Sequence, residues 1–472
     1  MKHLLRTEQL VKLRNEYELW CPICESSAAL PKSSSSLAPY IKAKIEMQQQ
    51  RMKFIPADNV TLEHVLVQGG ERAAGVLQSL ATAMQHMYVT QIRPSDEFYI
   101  SREQIRAQVE NIVKTKCQAH FPPETRVMVF GSSANGFGSS TSDLDMCLQL
   151  PDVSESEGWF ATKGREAMAF LAKELEANGM TNVNAERLTA RIPVIMFQST
   201  IEVGGDNILV ECDISMRNPL AVLNTQFLRT YASMDVRIVI LASMIKKWAK
   251  ARNINDPSRH TLSSYGYLLM LLHFLLLRRQ QGMCLPNLLF TDPSWKSGEV
   301  YHELPTRPEL PQLLLRHPNE EDYNVNAYFY SPRDEETFRC LQRIVTSGGT
   351  ASGASGEVGL LLAKFFRYYA FEFDYRQHII SLHSGAQRSG YVKKEVKGEL
   401  DGWKTGNTPS LAIEDPFEQF YNVGHVVNPS QFQRIRKEFA LAYTKIVGAC
   451  LGDGKQIRTG DELIDLICEP EE

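Results

Sequence analysis

The spacing of apolar residues changes along the chain and predicts helical and strand-forming regions in turn. From residue 62 to 116 apolar positions recur every three or four residues, which predicts helices, and two prolines at 122 and 123 end the pattern. Short apolar runs around a Gly/Ser loop then predict strands with one helix between residues 120 and 225. Beyond them the helical spacing returns, clearest in IVILASMIKKWAKARN and SSYGYLLMLLHFLLLRR.

These changes predict an α+β protein in four segments. We expect a partly disordered appendage over residues 1–55, which begins with a short amphipathic helix, and a helical segment over 56–119 that packs on the second domain. A domain with a mixed sheet follows over 120–225, and a largely helical domain over 226–472, with a flexible Gly/Ser/Ala loop near 346–356.

Charge and composition exclude some classes of protein. The chain has 51 Lys and Arg against 55 Asp and Glu, a net charge of −4, so a uniformly basic nucleic-acid coat is excluded. The longest apolar stretch, Tyr265 to Leu277, contains His273 and is too short to span a bilayer. The N-terminus has no apolar signal core, so we expect no membrane association.

Nine cysteines, most of them within apolar runs, predict reduced thiols in the cytoplasm, with mitochondrial or nuclear placement left open. Cys21 and Cys24 have the spacing of metal ligands, but the next histidine is the distant His64. Two free thiols are the simpler interpretation, and a zinc knuckle completed by distant residues is the alternative.

Three aspartates in strand-like segments carry the strongest chemical signal. Asp143 and Asp145 share one face of a strand, and Asp213 lies near the end of a later strand. Unpaired aspartates are costly in strands, so three of them predict two bound Mg²⁺ or Mn²⁺ ions. Gly131 and Ser132, separated from Asp143 by ten residues, offer backbone N–H groups to phosphate oxygens.

The segment GSSANGFGSSTSDLD, followed by ECDI, resembles the polymerase-beta-like nucleotidyltransferase superfamily. Further segments are similar to its terminal uridylyltransferase and cytoplasmic poly(A) polymerase branch: NPLAVLNT, IKKWAKARNIN, TLSSYGYLLM, FFRYYAFEFD and AIEDPFE. The resemblance runs from about Phe98 to about Tyr443, except for residues from about 290 to 356. It implies a nucleotidyltransferase palm over 120–225, a poly(A)-polymerase-associated helical domain, and an active-site cleft between them.

The same resemblance implies template-independent addition of nucleotides to RNA 3′ ends with release of pyrophosphate. Asp143 and Asp145 would hold both ions, and Asp213 would act as general base or orient the 3′-hydroxyl at one ion. The nucleotide would be bound by a set of phosphate, sugar and base ligands: Gly131, Ser132, Asn218, Ala221, Asn224, Thr225, Lys246, Lys250, Ser264, Tyr265, Asp415, Glu418 and Tyr421.

Several of these positions also have an ordinary structural explanation. Asn218 and Ser264 could cap helices, and Lys246 and Lys250, which share one helical face, could be solvated. The resemblance instead implies that both lysines bind the triphosphate and that Tyr265 stacks on the nucleobase.

Tyr421 departs from the family pattern, because uridylyl members typically carry histidine there. A tyrosine hydroxyl could donate to a uracil carbonyl or accept from an adenine amino group. The flanking segments and the bulk of Tyr421 favour UTP, and we therefore predict an RNA uridylyltransferase that acts in RNA 3′-end processing. An ATP-preferring poly(A) polymerase, a non-catalytic RNA-binding scaffold and a small-molecule nucleotidyltransferase are the alternatives.

Single-stranded RNA is the predicted partner, and the sequence indicates no particular protein partner. Basic clusters with interleaved aromatic residues would hold its 3′ end by phosphate contacts and stacking. The residues concerned are Arg278, Arg279, Lys393, Lys394, Lys397, Arg434 and Arg436.

Overall fold

A computed structural model describes residues 61–151, 163–190, 192–216, 218–277, 355–383, 410–418, 421–452 and 457–469, with a few isolated positions and the backbone of some further strands. The helices are α1 (Leu62–Met87), α2 (Asp96–Lys116), α3 (Gly164–Ala177), α4 (Pro219–Met234), α5 (Val236–Ala251), α6 (Ser264–Leu277), α7 (Ser355–Arg367), α8 (Pro429–Leu451) and α9 (Gly460–Cys468). The strands are β1 (Lys12–Asn15), β2 (Glu18–Cys21), β3 (Ser26–Ala29), β4 (Arg126–Phe130), β5 (Leu144–Gln149), β6 (Thr181–Asn184), β7 (Val194–Val203), β8 (Asp206–Met216), β9 (Gln312–His317), β10 (Glu320–Asn326), β11 (His378–Ile379) and β12 (Val392–Lys393).

One mixed sheet of five strands, in the order β4-β5-β8-β7-β6, organises the middle of the chain. Strands β5 and β8 run parallel, and the other neighbours are antiparallel. One face is covered by α2 and α3, whose apolar side chains pack on alternate residues of the strands, such as Leu144 and Ile214. The opposite face of β5 and β8 therefore carries the polar alternate positions, and α4 contacts β4 and β5.

The remaining long helices share a second core. Helix α6 is apolar on all sides and is buried among α5, α7 and α8. In the same core the rings of Trp248 and Phe439 lie 5.1 Å apart at an interplanar angle of 35°. Together with the sheet, these helices confirm the predicted α+β class. Within the described ranges, no helix is both long and apolar enough to cross a membrane.

Three local expectations differ from the structure, at least in part. The segment over 56–119 is predicted to pack on the helical domain, and α1 does contact α7, α8 and α9 there, whereas α2 packs on the sheet. Near the N-terminus, β1, β2 and β3 form an antiparallel sheet where the sequence predicts a short helix. Helix α7 already begins at Ser355, and the rest of the predicted loop at 346–356 lies outside the described residues.

Candidate active site

The three predicted aspartates lie together on the polar face of β5 and β8. Asp145 and Asp213 are register partners in the parallel pair, and Asp143 directly precedes β5. Leu144 and Cys212, which are also register partners, are buried on the opposite face. The alternation of strand side chains thus brings two aspartates 68 positions apart in the sequence onto adjacent strands.

No described residue donates a hydrogen bond to any of these three carboxylates. Burial, followed by the negative charges of Asp213 and Asp143, raises the pKa of Asp145 to about 7. Burial and the charge of Asp143 also raise the pKa of Asp213, against the attraction of Arg187. The carboxylates repel one another in the protein alone, and a bound cation would remove that repulsion.

Asp143 lies between charges of both signs. Burial and the nearby Glu211 raise its pKa, while Lys250 and Arg102 act in the opposite direction. Glu211 belongs to the same face of β8 as Asp213, two residues away, and accepts a hydrogen bond from Gln198 Nε2. The acidic face of the sheet therefore includes a fourth carboxylate that the sequence analysis missed, although strand alternation points to it.

The donor set fits hard divalent cations, because carboxylate oxygens are the ligands that Mg²⁺ and Mn²⁺ prefer. As the side chains stand, no three His, Cys, Asp or Glu residues of the described chain converge closely enough to hold one ion. Asp143, Asp145 and Asp213 are the carboxylates that would hold such ions, because the strand register brings them to one face.

The Gly/Ser loop after β4 is fixed to the helical part of the chain. Gly131 has a φ of +73°, and its N–H donates to Thr225 Oγ1 over 2.9 Å. Thr225 in turn donates to the carbonyl of Ala221, one turn earlier in α4. In this conformation Gly131 and Thr225, both predicted as nucleotide ligands, bind each other, while Ser132 is half-buried beside them.

The two predicted phosphate-binding lysines lie one turn apart on α5. Lys246 Nζ donates to the carbonyl of Phe137 in the same loop over 2.9 Å. Burial, and secondly the charge of Lys250, lowers the pKa of Lys246 to about 8. Lys250 is exposed and acts on Asp143, so α5 presents positive charge toward both the loop and the acidic face.

A buried carboxylate, Asp415, joins three of the predicted base and sugar ligands. Its Oδ2 accepts hydrogen bonds from Tyr265 Oη over 2.9 Å and from Asn224 Nδ2 over 3.3 Å. Its Oδ1 accepts from the backbone N–H groups of Phe417 and Glu418, both over 2.9 Å. Burial raises the pKa of Tyr265 well above its ordinary value, so its hydroxyl remains a donor. Asn224 Oδ1 is buried without a hydrogen-bond partner among the described residues.

Of the two predicted helix caps, the structure shows one and not the other. Asn218 does cap α4, since its Oδ1 accepts from the N–H of Ala221 over 3.2 Å. Ser264 does not cap α6: its hydroxyl donates to Asn255 Oδ1 over 3.0 Å, and Ser263 accepts from the N–H of Gly266 instead.

Tyr421 closes the turn that begins at Asp415. Its backbone N–H donates to Glu418 O over 2.8 Å, and its carbonyl accepts from the N–H of Asp415. Its half-buried ring meets the ring of His425 edge-on at a centroid distance of 5.1 Å. Main-chain bonds thus set the position of the Tyr421 backbone at the end of this turn.

The predicted RNA contacts are described for two residues only. Arg434 Nη2 donates to Arg252 O over 3.0 Å, and Arg436 Nε donates to Ala370 O over 3.1 Å. Both arginines hold carbonyls within the helical core, and RNA contact by either stays a prediction. Lys393 lies in β12, of which the backbone alone is described, and the other predicted contacts lie outside the described residues: Arg278, Arg279, Lys394 and Lys397.

Comparison with known proteins identifies the family. The model of a mitochondrial-like poly(A) RNA polymerase central palm domain matches residues 80–233, and the model of the Cid1 family poly(A) polymerase domain matches residues 357–419. The terminal uridylyltransferase Cid1 of Schizosaccharomyces pombe is 31% identical over 334 residues, which cover 69% of this chain and 70% of that protein. The chain therefore belongs to the family of terminal uridylyltransferases and Cid1-like poly(A) polymerases, within the nucleotidyltransferases.

Other relatives are named for either of the two nucleotides, UTP or ATP. The poly(A) RNA polymerase GLD2-B of Xenopus laevis is 29% identical over 69% of this chain and 53% of that protein. Human terminal uridylyltransferase 4 is 31% identical over 72% of this chain, which spans only 17% of that relative. The crystal structure of the Cid1 poly(U) polymerase superposes with a TM-score of 0.58 at 26% identity, covering 82% of this chain and 97% of that one. The relatives of this chain thus include proteins named terminal uridylyltransferases and proteins named poly(A) RNA polymerases.

Proposed function

We propose that this protein is an RNA uridylyltransferase that adds uridylates from UTP to RNA 3′ ends without a template. The observation that carries the proposal is the register of Asp145 opposite Asp213, with Asp143 alongside and all three carboxylates free of described hydrogen-bond donors. The non-catalytic alternative is disfavoured, because a scaffold has no need to keep repelling carboxylates and two facing lysines together.

The residues of the chain have distinct roles in this reaction. Asp213 accepts or orients the proton of the RNA 3′-hydroxyl, whose oxygen bonds to the α-phosphorus as the bond to the β-phosphate oxygen breaks and pyrophosphate leaves. Lys246 and Lys250 offset the charge of the triphosphate. Two divalent cations held by the three aspartates would supply Lewis-acid stabilisation of the attacking and leaving oxygens.

The nucleoside is bound at the cluster around Asp415. Tyr265 supplies a stacking face for the nucleobase, and Asn224 accepts a hydrogen bond from a sugar hydroxyl. The second role is supported by Asn224 Oδ1, which has no hydrogen-bond partner among the described residues. Glu418 and Tyr421 line the base edge. The bulk of Tyr421 and the capacity of its hydroxyl to donate to a uracil carbonyl support UTP as the substrate.

The test is extension of a short single-stranded RNA by the purified protein, with each of the four nucleotides supplied singly at equal concentration. Extension with UTP above the other three, lost in Asp145→Asn and Asp213→Asn, supports the proposal. Leu209→Asn on the exposed part of β8 is the matched control and keeps activity. Preferential use of ATP identifies an adenylyl-adding enzyme, and no extension in the presence of intact folding overturns the enzymatic assignment.

A further inference from the structure

A buried arginine lies behind the acidic face, outside every segment to which the proposed reaction assigns a role. Arg102 of α2 is 8% exposed, and its guanidinium carbon stands 3.6 Å from the ring centre of Phe98. Its Nε has no hydrogen-bond partner among the described residues, and no described carboxylate forms a salt bridge with it. Arg102 interacts with the charge of Asp143 without forming a salt bridge, and burying a charge without direct pairing is costly, so its remaining contacts need an explanation.

One of those contacts is made to the residue that precedes Asp143. Arg102 Nη2 donates to the carbonyl oxygen of Ser142 over 2.8 Å, across 40 positions of sequence. That carbonyl belongs to the peptide group whose nitrogen is Asp143. Arg102 Nη1 donates to Ser101 Oγ, which in turn donates to the carbonyl of Phe98, so the guanidinium plane is fixed from its other side.

The loop before Asp143 is otherwise held mostly by hydrogen bonds among its own residues, which include one between the hydroxyls of Ser139 and Thr141 at 3.1 Å. Ser139 and Ser142 bond to each other through the N–H of Ser139 to Ser142 Oγ and the N–H of Ser142 to Ser139 O, both over 2.9 Å. The N–H of Ser140 donates to Ile92 O over 3.1 Å. Asp143 precedes β5 and has no ladder partner among the described residues. The Arg102 bond therefore holds the peptide group from which the Asp143 side chain extends.

We propose that Arg102 is a positioning residue that holds Asp143 in the orientation required for binding divalent cations. This inference rests on the proposed function for its link to catalysis, but metal binding tests it without RNA. The sign of the effect is informative, because Arg102 carries the same charge as the ion. Removing a like charge alone would tighten cation binding, whereas losing the orientation of Asp143 would weaken it.

The experiment measures Mn²⁺ affinity of the full chain by calorimetry, without RNA, for the wild type, Arg102→Met and Arg102→Lys. Arg106→Met is the matched control: it lies one turn along α2, pairs with Glu103 and Glu110, and does not contact the loop before Asp143. Asp145→Asn gives the level of binding without the site. Melting temperatures and the metal dependence of RNA extension are recorded for each variant.

We expect Arg102→Met to weaken Mn²⁺ binding by about tenfold, and to lower kcat at fixed metal while KM for the nucleotide stays within about twofold. Arg102→Lys keeps the positive charge but not the planar guanidinium group, and its Mn²⁺ affinity falls by about threefold. Arg106→Met lowers the melting temperature and keeps the metal affinity of the wild type.

Unchanged or tighter Mn²⁺ binding in Arg102→Met overturns the positioning role. If that variant does not fold, wild-type affinity in Arg102→Lys has the same consequence. Absence of Mn²⁺ binding in the wild type, with Asp145→Asn indistinguishable from it, refutes the proposed metal-dependent function together with this inference. Normal metal binding without RNA extension refutes only the function.

Discussion

Gly131 and Asp145 are packed so closely that a Cβ atom at position 131 would stand 2.0 Å from Asp145 Oδ2. Gly131 directly follows Phe130, which is the last residue of β4 and the register partner of Asp145. Gly131 also adopts a φ of +73°, where a side chain is strained. The glycine is therefore required by the backbone conformation and by the position of the central carboxylate.

Gly131→Ala is expected to abolish or strongly reduce RNA extension, because the new methyl group displaces the Asp145 carboxylate. The left-handed backbone alone costs about 1–2 kcal/mol for an alanine. Gly204→Ala is the matched control, since Gly204 has a φ of +65° and a Cβ atom there would meet nothing within 4 Å among the described residues. Both variants lose a similar amount of stability in thermal unfolding, and only the first loses extension. Equal activity in the two would show that the Asp145 carboxylate tolerates displacement.

The raised pKa of Asp145 predicts a pH-dependent effect of Asp145→Asn on the metal-free protein. The folded-state pKa of about 7 lies above the unfolded value of about 3.9, so ionisation of Asp145 destabilises the fold increasingly as the pH rises between these values. The asparagine carries no such charge. We expect the variant to gain melting temperature over the wild type at pH 8, and to gain less at pH 5.5.

Each pKa unit corresponds to about 1.4 kcal/mol, so the difference between the two pH values is on the order of 2 kcal/mol. Leu209→Asn, an exposed substitution on the same strand, serves as control and shows no such pH trend. Saturating Mg²⁺ should stabilise the wild type more than the variant at pH 8. A gain in melting temperature that grew toward acidic pH would contradict the repulsion among the three aspartates.

Lys246→Met is expected to raise KM for the nucleotide triphosphate by about 10- to 100-fold, since hydrogen bonds to charged groups contribute about 1.5–3 kcal/mol. RNA affinity should change little. Because the pKa of Lys246 is lowered to about 8, the lysine loses its charge as the pH rises through that value. In steady-state assays, kcat/KM of the wild type for the nucleotide should therefore fall above pH 8. The Lys246→Met variant should not show this decrease.

The neighbouring Lys247→Met provides the control for the lost charge. Lys247 lies on the same helix but interacts with Cys468 of α9, away from the Gly/Ser loop. It should retain the KM and the pH profile of the wild type. A matching rise of KM in both variants would indicate a general electrostatic effect of α5 and not a phosphate contact at Lys246.

The acidic residues of the site could be predicted because an aspartate within an apolar strand is unfavourable whatever the rest of the fold. Asp143, Asp145 and Asp213 interrupt apolar strand patterns, and strand alternation assigns Asp143 and Asp145 to one face before any tertiary contact is known. The position of Asp213 beside them depends on the pairing of β5 with β8, which the sequence does not give. The same rule applied to Glu211 would have added the fourth carboxylate. The α+β class followed from equally local changes of periodicity.

Contacts between distant segments could not be predicted in this way. The amphipathic pattern of α2 indicates that one face is buried, but the partner of that face is decided by the packing of the sheet. The bond between Gly131 and Thr225 spans 94 positions, and that between Arg102 and Ser142 spans 40. In the sequence, Arg102 is one of several charged residues of an amphipathic helix, and no spacing distinguishes it from the exposed Glu103.

Tyr421 is the position at which substitution should shift the choice between UTP and ATP. Its main-chain bonds to Glu418 and Asp415 do not involve the side chain, so these two bonds can form with any side chain at this position. Tyr421→Phe keeps the ring and removes the hydroxyl, whereas Tyr421→Ala removes both. One hydrogen bond to a neutral base contributes about 0.5–1.5 kcal/mol, so Tyr421→Phe should lower the UTP-to-ATP ratio of kcat/KM by about three- to tenfold.

Tyr421→Ala should lower that ratio further, because it also opens space for a purine, and Tyr421→His should keep or sharpen the preference for UTP, since an imidazole N–H can make the same donor contact. His425→Ala is the control for the edge-on ring contact at 5.1 Å, and should change the ratio less than Tyr421→Phe. The measurement is kcat/KM for UTP and ATP on one RNA, with all variants assayed in parallel. A wild-type preference for ATP that Tyr421→Phe abolished would mean that the hydroxyl accepts from the adenine amino group, and that the enzyme adds adenylates.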